Sequence, residues 1–108
     1  MKYRILIVSA NYYTDISNNL LNDAKTTLKS KAKYQIINVP GVFEIPVIIA
    51  KNIKKYHGFI ALGCVIKGET PHFDFISTTT INAIMNLSIV HKKPIGNGIL
   101  TCLYKRQA

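Results

Sequence analysis

The apolar run Phe59-Ile60-Ala61-Leu62 and the stretch after it, from Gly63-Cys64-Val65-Ile66 through Lys67-Gly68-Glu69-Thr70-Pro71-His72-Phe73-Asp74, constrain this chain most. Consecutive apolar residues bounded by turn signals suit a strand buried on both faces. Gly63 and Gly68 permit a tight loop with close backbone approach. Thr70 followed by Pro71 reads as an N-cap with proline at the first helical position, which predicts a helix starting there. A helix start of this kind offers unpaired backbone N–H groups to an anion such as phosphate. His72, in the first turn, has the chemistry to move a proton on the molecule that carries the phosphate. A first-turn histidine also commonly serves as a plain surface residue or a cap.

The rest of the chain falls into alternating strand and helix patterns. Tyr3 to Ser9 is β-branched and apolar and predicts the first strand, closed by the loop Asn11-Tyr12-Tyr13. Ile16, Leu20, Leu21, Ala24 and Leu28 recur at helical spacing, with Thr14 or Asp15 as the cap. Tyr34 to Val39 predicts a second strand, ended by Pro40-Gly41. A second helix begins near Phe43, tolerates Pro46 in its first turn and points Ile49 and Ile53 inward. The third strand runs from about Gly58 to Gly63, which puts Cys64 just beyond it as a small buried residue. The third helix runs from near Pro71 to about His91, although Ser77-Thr78-Thr79-Thr80 favours helix poorly and needs tertiary packing to hold it. Pro94 opens a fourth strand, Ile95 to Thr101, where Gly96 and Gly98 suggest close approach of a ligand or another backbone.

Strands alternating with helices imply an α/β fold, a three-layer sandwich around a parallel sheet. Right-handed crossovers limit the arrangements, and a flavodoxin-like sheet of four strands in the order 2-1-3-4 is expected. In that order ligands bind beyond the carboxyl ends of the strands. Tyr12, the turn Gly41-Val42-Phe43-Glu44 and the loop from Gly68 to His72 all follow strand ends, so they should meet at one edge of the sheet.

A chain of 108 residues supports one domain, 1–108, with a modest core. It has no repeat, linker or low-complexity segment and no apolar run of membrane-spanning length. Lys2 and Arg4 precede an apolar run too short for a signal peptide. Its two cysteines, Cys64 and Cys102, show no metal spacing and fit a reduced, cytoplasmic setting. The formal net charge of +9 raises nucleic-acid binding as a hypothesis. The lysines nevertheless lie scattered along the chain without a recognised nucleic-acid motif. They read as a solvated surface with some attraction for a phosphorylated substrate, and neither a nucleic acid nor a membrane is expected as partner.

The stretch from Gly63 to Asp74 resembles the signature that lumazine synthases carry, and Pro40-Gly41-Val42-Phe43-Glu44-Ile45-Pro46 resembles that family's second signature. The similarity runs from about Arg4 to Thr101. It implies the penultimate step of riboflavin biosynthesis, the condensation of 5-amino-6-(D-ribitylamino)uracil with 3,4-dihydroxy-2-butanone 4-phosphate to 6,7-dimethyl-8-ribityllumazine. Imine formation, loss of phosphate and ring closure proceed there without a metal or organic cofactor, by proximity and proton transfer.

By that resemblance His72 stands at the place of the proton-transfer histidine, while Gly68, Glu69 and Thr70 form the phosphate loop. Lys67 replaces a frequent Arg, keeping the charge and losing the planar fork. Tyr12 takes the place of an aromatic that stacks on the pyrimidine; by itself it reads as a partly exposed loop residue. Val42, Phe43 and Glu44 would contact the ribityl chain and ring, although Glu44 reads equally well as a carboxylate serving a helix dipole. Cys64, Val65 and Ile66 would border the pyrimidine through their backbone. Asn97 matches a position where many members carry an aromatic from the neighbouring subunit.

The family forms pentamers, some assembled into decamers or sixty-subunit shells, with active sites between neighbours. Its members continue beyond Thr101 with a phosphate-binding Arg, a Lys and two closing helices, whereas this sequence reads Cys102-Leu103-Tyr104-Lys105-Arg106-Gln107-Ala108. The resemblance thus predicts a fold with the C-terminal helices missing and a weakened catalyst. Handedness further predicts that strands three and four lack helical cover on the face of the first helix, leaving an exposed apolar patch there. A binding module that holds a lumazine or flavin without turnover is the alternative, and a basic nucleic-acid-binding protein a more distant one.

Overall fold

The computed structural model describes residues 3–28, 31–66 and 73–102. In chain order these form β1 (Tyr3–Ala10), α1 (Thr14–Leu28), β2 (Ala32–Val39), a 3-10 turn (Val42–Glu44), α2 (Ile45–Lys51), β3 (Gly58–Ile66), α3 (Phe73–His91) and β4 (Ile95–Cys102). All pairings are parallel, as the alternating pattern predicts, and the sheet order is β2-β1-β3-β4, the flavodoxin-like order expected.

Side-chain alternation along the central strands sorts the core into two layers. Leu6, Val8 and Ala10 of β1 and Phe59, Ala61 and Val65 of β3 pack with Val42, Ile45, Ile49, Ile53 and Ile84, so α2 and α3 share one face. Ile7 and Ser9 point the other way, towards α1, and the buried Ser17 hydroxyl donates to the Ala10 carbonyl at 2.6 Å. The predicted start of α1 needs one correction. Thr14 is its first helical residue, and the carbonyl preceding the helix, that of Tyr13, accepts the Ser17 N–H at 2.9 Å.

Two expectations change more. β3 does not stop at Gly63 but runs on to Ile66, so Cys64 lies inside a strand and Gly63 is no loop glycine. The apolar run simply continues through Cys64-Val65-Ile66, and pairing with β4 as far as Cys102 holds it extended. Nor is β3 bare on the α1 face, where Leu62, Cys64 and Ile66 are buried and Ile60 is half-buried. α1 reaches past β1 to pack on β3 as well, which supplies the cover that a strict one-helix-per-crossover picture leaves out. The large exposed apolar side chains instead include Phe75, Met85, Ile89 and Val90 on α3 and Phe43 and Val47 beside it.

The Ser77–Thr80 run is helical, and its buried members Ser77 and Thr80 give α3 a narrow inner edge against the sheet. The helix closes at Lys92, which adopts φ 53°, and the Lys93 N–H donates to the Ser88 carbonyl at 3.3 Å. That six-residue closure is the Schellman arrangement, followed by Pro94, which cannot continue a helix.

Candidate active site

β3 outruns β1, and that overhang builds the candidate site. Their last paired residues are Ser9 and Leu62, leaving Gly63 to Ile66 projecting beyond β1 while still paired with β4. At this point the strand order reverses direction across the sheet, which is where open α/β sheets hold their ligands. The side chains of Cys64, Val65 and Ile66 are buried. What the overhang can present to the crevice is therefore its backbone, as the resemblance implies for these residues.

The second wall comes from the turn after β2. Asn11 N–H donates to the Val39 carbonyl at 3.0 Å, tying the ends of β1 and β2 together. Val42 then folds over the overhang: a Cβ placed on Gly63 would lie 2.5 Å from Val42 Cγ1 and 3.2 Å from Ala10 Cβ. Gly63 is thus required by a side chain crossing over it, and three strand ends close on one point. Burying Val42 turns Phe43 and Glu44 outward, and both are exposed. The Glu44 N–H donates to the Gly41 carbonyl at 3.2 Å, while a Cβ on Gly41 would come within 3.2 Å of Glu44 Oε2. The carboxylate lies back over its own turn with its other surface towards solvent, an acceptor available to hydroxyl groups.

Phe43 meets Phe75 of α3 with ring centroids 6.1 Å apart and planes 31° from parallel, so the start of α3 adjoins the same wall. Tyr12 stands at the end of β1 with 71% of its surface exposed and its ring at 4.9 Å, edge to face, from Tyr13. An aromatic so exposed gains little from its own fold and is free to stack on a planar ligand.

The structure therefore brings Tyr12, Val42, Phe43 and Glu44 to the carboxyl edge beside Cys64, Val65 and Ile66. Lys67, Gly68, Glu69, Thr70 and His72 lie outside the described residues. Asn97 does not join this group. It pairs in register with Ala61, well back along the sheet, and its Oδ1 accepts the Ile99 N–H at 3.0 Å. Phe75 was not anticipated; its spacing within an apolar helix gave no sign that it would meet Phe43. Of the two β4 glycines, Gly98 marks a close approach, since a Cβ there would fall 2.8 Å from Leu62 Cδ2, whereas Gly96 has room. Among the described residues no His, Cys, Asp and Glu cluster suits a metal ion, and no helix is long and apolar enough to cross a membrane.

Among the described residues the basic side chains are not scattered once folded. Arg4, Lys31 and Lys33 sit at or before strand starts. Lys25 and Lys51 occupy last helical turns, and Lys54, Lys55, Lys92 and Lys93 follow helix ends. All lie at or towards the amino edge of the sheet, opposite the crevice. Asp15, Glu44 and Asp74 occupy first helical turns on the crevice side. Lys25 and Lys51 in last turns, and the three acidic residues in first turns, complement the helix dipoles.

Comparison with known proteins agrees with this architecture. A family model described as 6,7-dimethyl-8-ribityllumazine synthase matches residues 2–108, a longer match than the signature stretches alone suggest. A protein of that name from Bartonella henselae is 48% identical over 99% of this chain and 72% of its own length. Its namesake from Bartonella tribocorum is 45% identical over 99% of this chain and 74% of its own length. One from Agrobacterium fabrum is 44% identical over 99% and 78%. With the described parts of both signatures at the carboxyl edge of a 2-1-3-4 sheet, the chain belongs to the 6,7-dimethyl-8-ribityllumazine synthase family.

Proposed function

We propose that this protein forms 6,7-dimethyl-8-ribityllumazine from 5-amino-6-(D-ribitylamino)uracil and 3,4-dihydroxy-2-butanone 4-phosphate, in the cytoplasm, as a transferase of riboflavin biosynthesis. The observation that carries this reading is the family match over residues 2–108, set on a crevice whose walls follow three strand ends. In this reading the pyrimidine lies along the projecting backbone of β3, with Tyr12 stacked on it and Phe43 closing the other side. Glu44 accepts hydrogen bonds from the ribityl hydroxyls. Gly68, Glu69 and Thr70, with Lys67, hold the phosphate, and His72 moves the proton during imine formation and phosphate loss. Holding both reactants in one crevice supplies much of the rate, since the condensation is otherwise bimolecular.

The working unit in this proposal is a homo-oligomer built on pentamers. α3 supports it: Phe75, Met85, Ile89 and Val90 are each more than half exposed, on a helix whose sequence carries no lysine or arginine in a chain of net charge +9. Such an outer face suits another copy better than solvent. Asn97, set apart from its own crevice, would then serve a neighbour's. Mixing the two substrates with the protein and following lumazine formation tests the reading. Formation above the uncatalysed rate is expected, whereas tight lumazine binding with no formation would replace the enzyme by a binding module.

A further inference from the structure

The amino edge of the sheet, opposite the crevice, carries a cavity of about 860 Å³ lined by Arg4, Lys33, Gln35, Lys54, Lys55 and Tyr56, together with Ala32 and Tyr34. It contains four cations and no carboxylate, and among the described residues none of the four is ion-paired. Complementing helix dipoles does not account for them. Lys54 and Lys55 lie beyond the last residue of α2, and Arg4 and Lys33 belong to strands. Moreover, Arg4 and Lys33 are direct partners in the parallel pairing of β1 and β2, both exposed. Like charges side by side on neighbouring strands repel, and an anion held between them relieves that repulsion.

The cavity wall is also fixed in place. Lys93 Nζ donates to the carbonyls of Ile53 and Tyr56, the latter at 2.8 Å, so a fifth cation clamps both ends of the turn that bears Lys54 and Lys55. The Tyr56 ring packs edge-on to buried Phe59 at 6.0 Å, and its hydroxyl donates to Gln35 Oε1 at 2.8 Å. That bond orients the Gln35 amide and leaves its NH₂ group as a donor. Arg4 is held through its backbone: its N–H donates to His57 Nδ1 at 2.8 Å and its carbonyl accepts the His57 N–H at 2.8 Å. A volume of this size matches a small-molecule site. Several cations suit several phosphate charges, and an anchored tyrosine beside an arginine suits a planar ring.

We propose that this cavity binds a nucleoside triphosphate, its phosphates among Arg4, Lys33, Lys54 and Lys55 and its base against Tyr56, separately from the carboxyl-edge crevice.

The test is calorimetric titration of the whole protein with ATP, tripolyphosphate, inorganic phosphate and a short DNA duplex at low and moderate salt. ATP should bind more tightly than tripolyphosphate, and inorganic phosphate weakest. Lys54→Glu and Lys55→Glu, both exposed positions, should each weaken ATP by about tenfold or more. Tyr56→Leu should weaken ATP while leaving tripolyphosphate unchanged, and Tyr56→Phe, which keeps the ring, should retain most ATP affinity. Lys25→Glu makes the same charge change outside the lining and should leave ATP binding intact. The proposal is overturned by no ATP binding, by equal affinity for ATP and tripolyphosphate, or by equal loss in the Lys25 variant. A duplex that binds while ATP neither binds nor competes would equally overturn it, in favour of a nucleic-acid surface.

Discussion

Gly63 shows how much one missing side chain can organise. Its hydrogen is all that separates β3 from the crossing Val42 side chain, with Ala10 behind it. Gly63→Ala should therefore destabilise the fold by about 1–3 kcal/mol, the usual range for overpacking a core. Val42→Ala in the same chain should recover part of that loss, a non-additivity that thermal unfolding of the single and double variants would detect. If the two losses simply add, Val42 is not what fills the space. The sequence marks Gly63 as special, but for the wrong reason: a glycine after four apolar residues looks like a loop, and only the pairing with β4 reveals a strand. His72 carries the chemical prediction at this scale. His72→Ala should lower turnover by about 10²-fold or less and leave substrate affinity nearly intact, measured as kcat against KM. An unchanged kcat would remove the imidazole from the proton-transfer steps.

Among the elements, α3 is the one whose sequence and structure pull apart most. Its pattern predicts a helix, and one forms, yet the pattern says little about which side faces in, because apolar residues surround it. Ser77, Thr80 and Ile84 mark the buried side, and small size rather than hydrophobicity selects two of the three. The end of this helix is also strained. Lys92 adopts φ 53°, a conformation that costs a side-chain-bearing residue free energy and glycine almost none. Lys92→Gly should raise stability by roughly 0.5–1 kcal/mol, read from chemical denaturation, with the loss of one exposed charge contributing little. A drop instead would mean that the lysine side chain stabilises the closure. β1, β2 and the start of β3 were legible from their apolar runs. The extra length of β3 was not, because strand ends are set by what lies beside them.

For the whole molecule, alternation and handedness narrowed the sheet order to a few arrangements, of which the expected flavodoxin-like one is found, whereas the breadth of α1 over β3 depends on how one helix lies across two strands. The charge pattern was hidden for a related reason: the described lysines, spaced through the sequence, gather because every crossover of a parallel sheet returns the chain to the same edge. The outer face of α3 gives the prediction at this scale. Met85→Lys with Ile89→Lys should shift the protein towards monomer in sedimentation velocity, with the far-UV circular dichroism of each copy preserved. Lumazine formation should fall with it if crevices are completed between neighbours. An unchanged sedimentation coefficient would place the contact elsewhere.

The placement of the described lysines opposite the crevice should also make the protein self-orienting. On a negatively charged support such as mica or a sulfonated resin, it should land amino edge down, with the ends of the strands facing the liquid. A film laid down this way would leave its crevices open to the solution, while random covalent attachment would bury a share of them. The adsorbed layer should then form lumazine at a rate per molecule close to that of the dissolved protein.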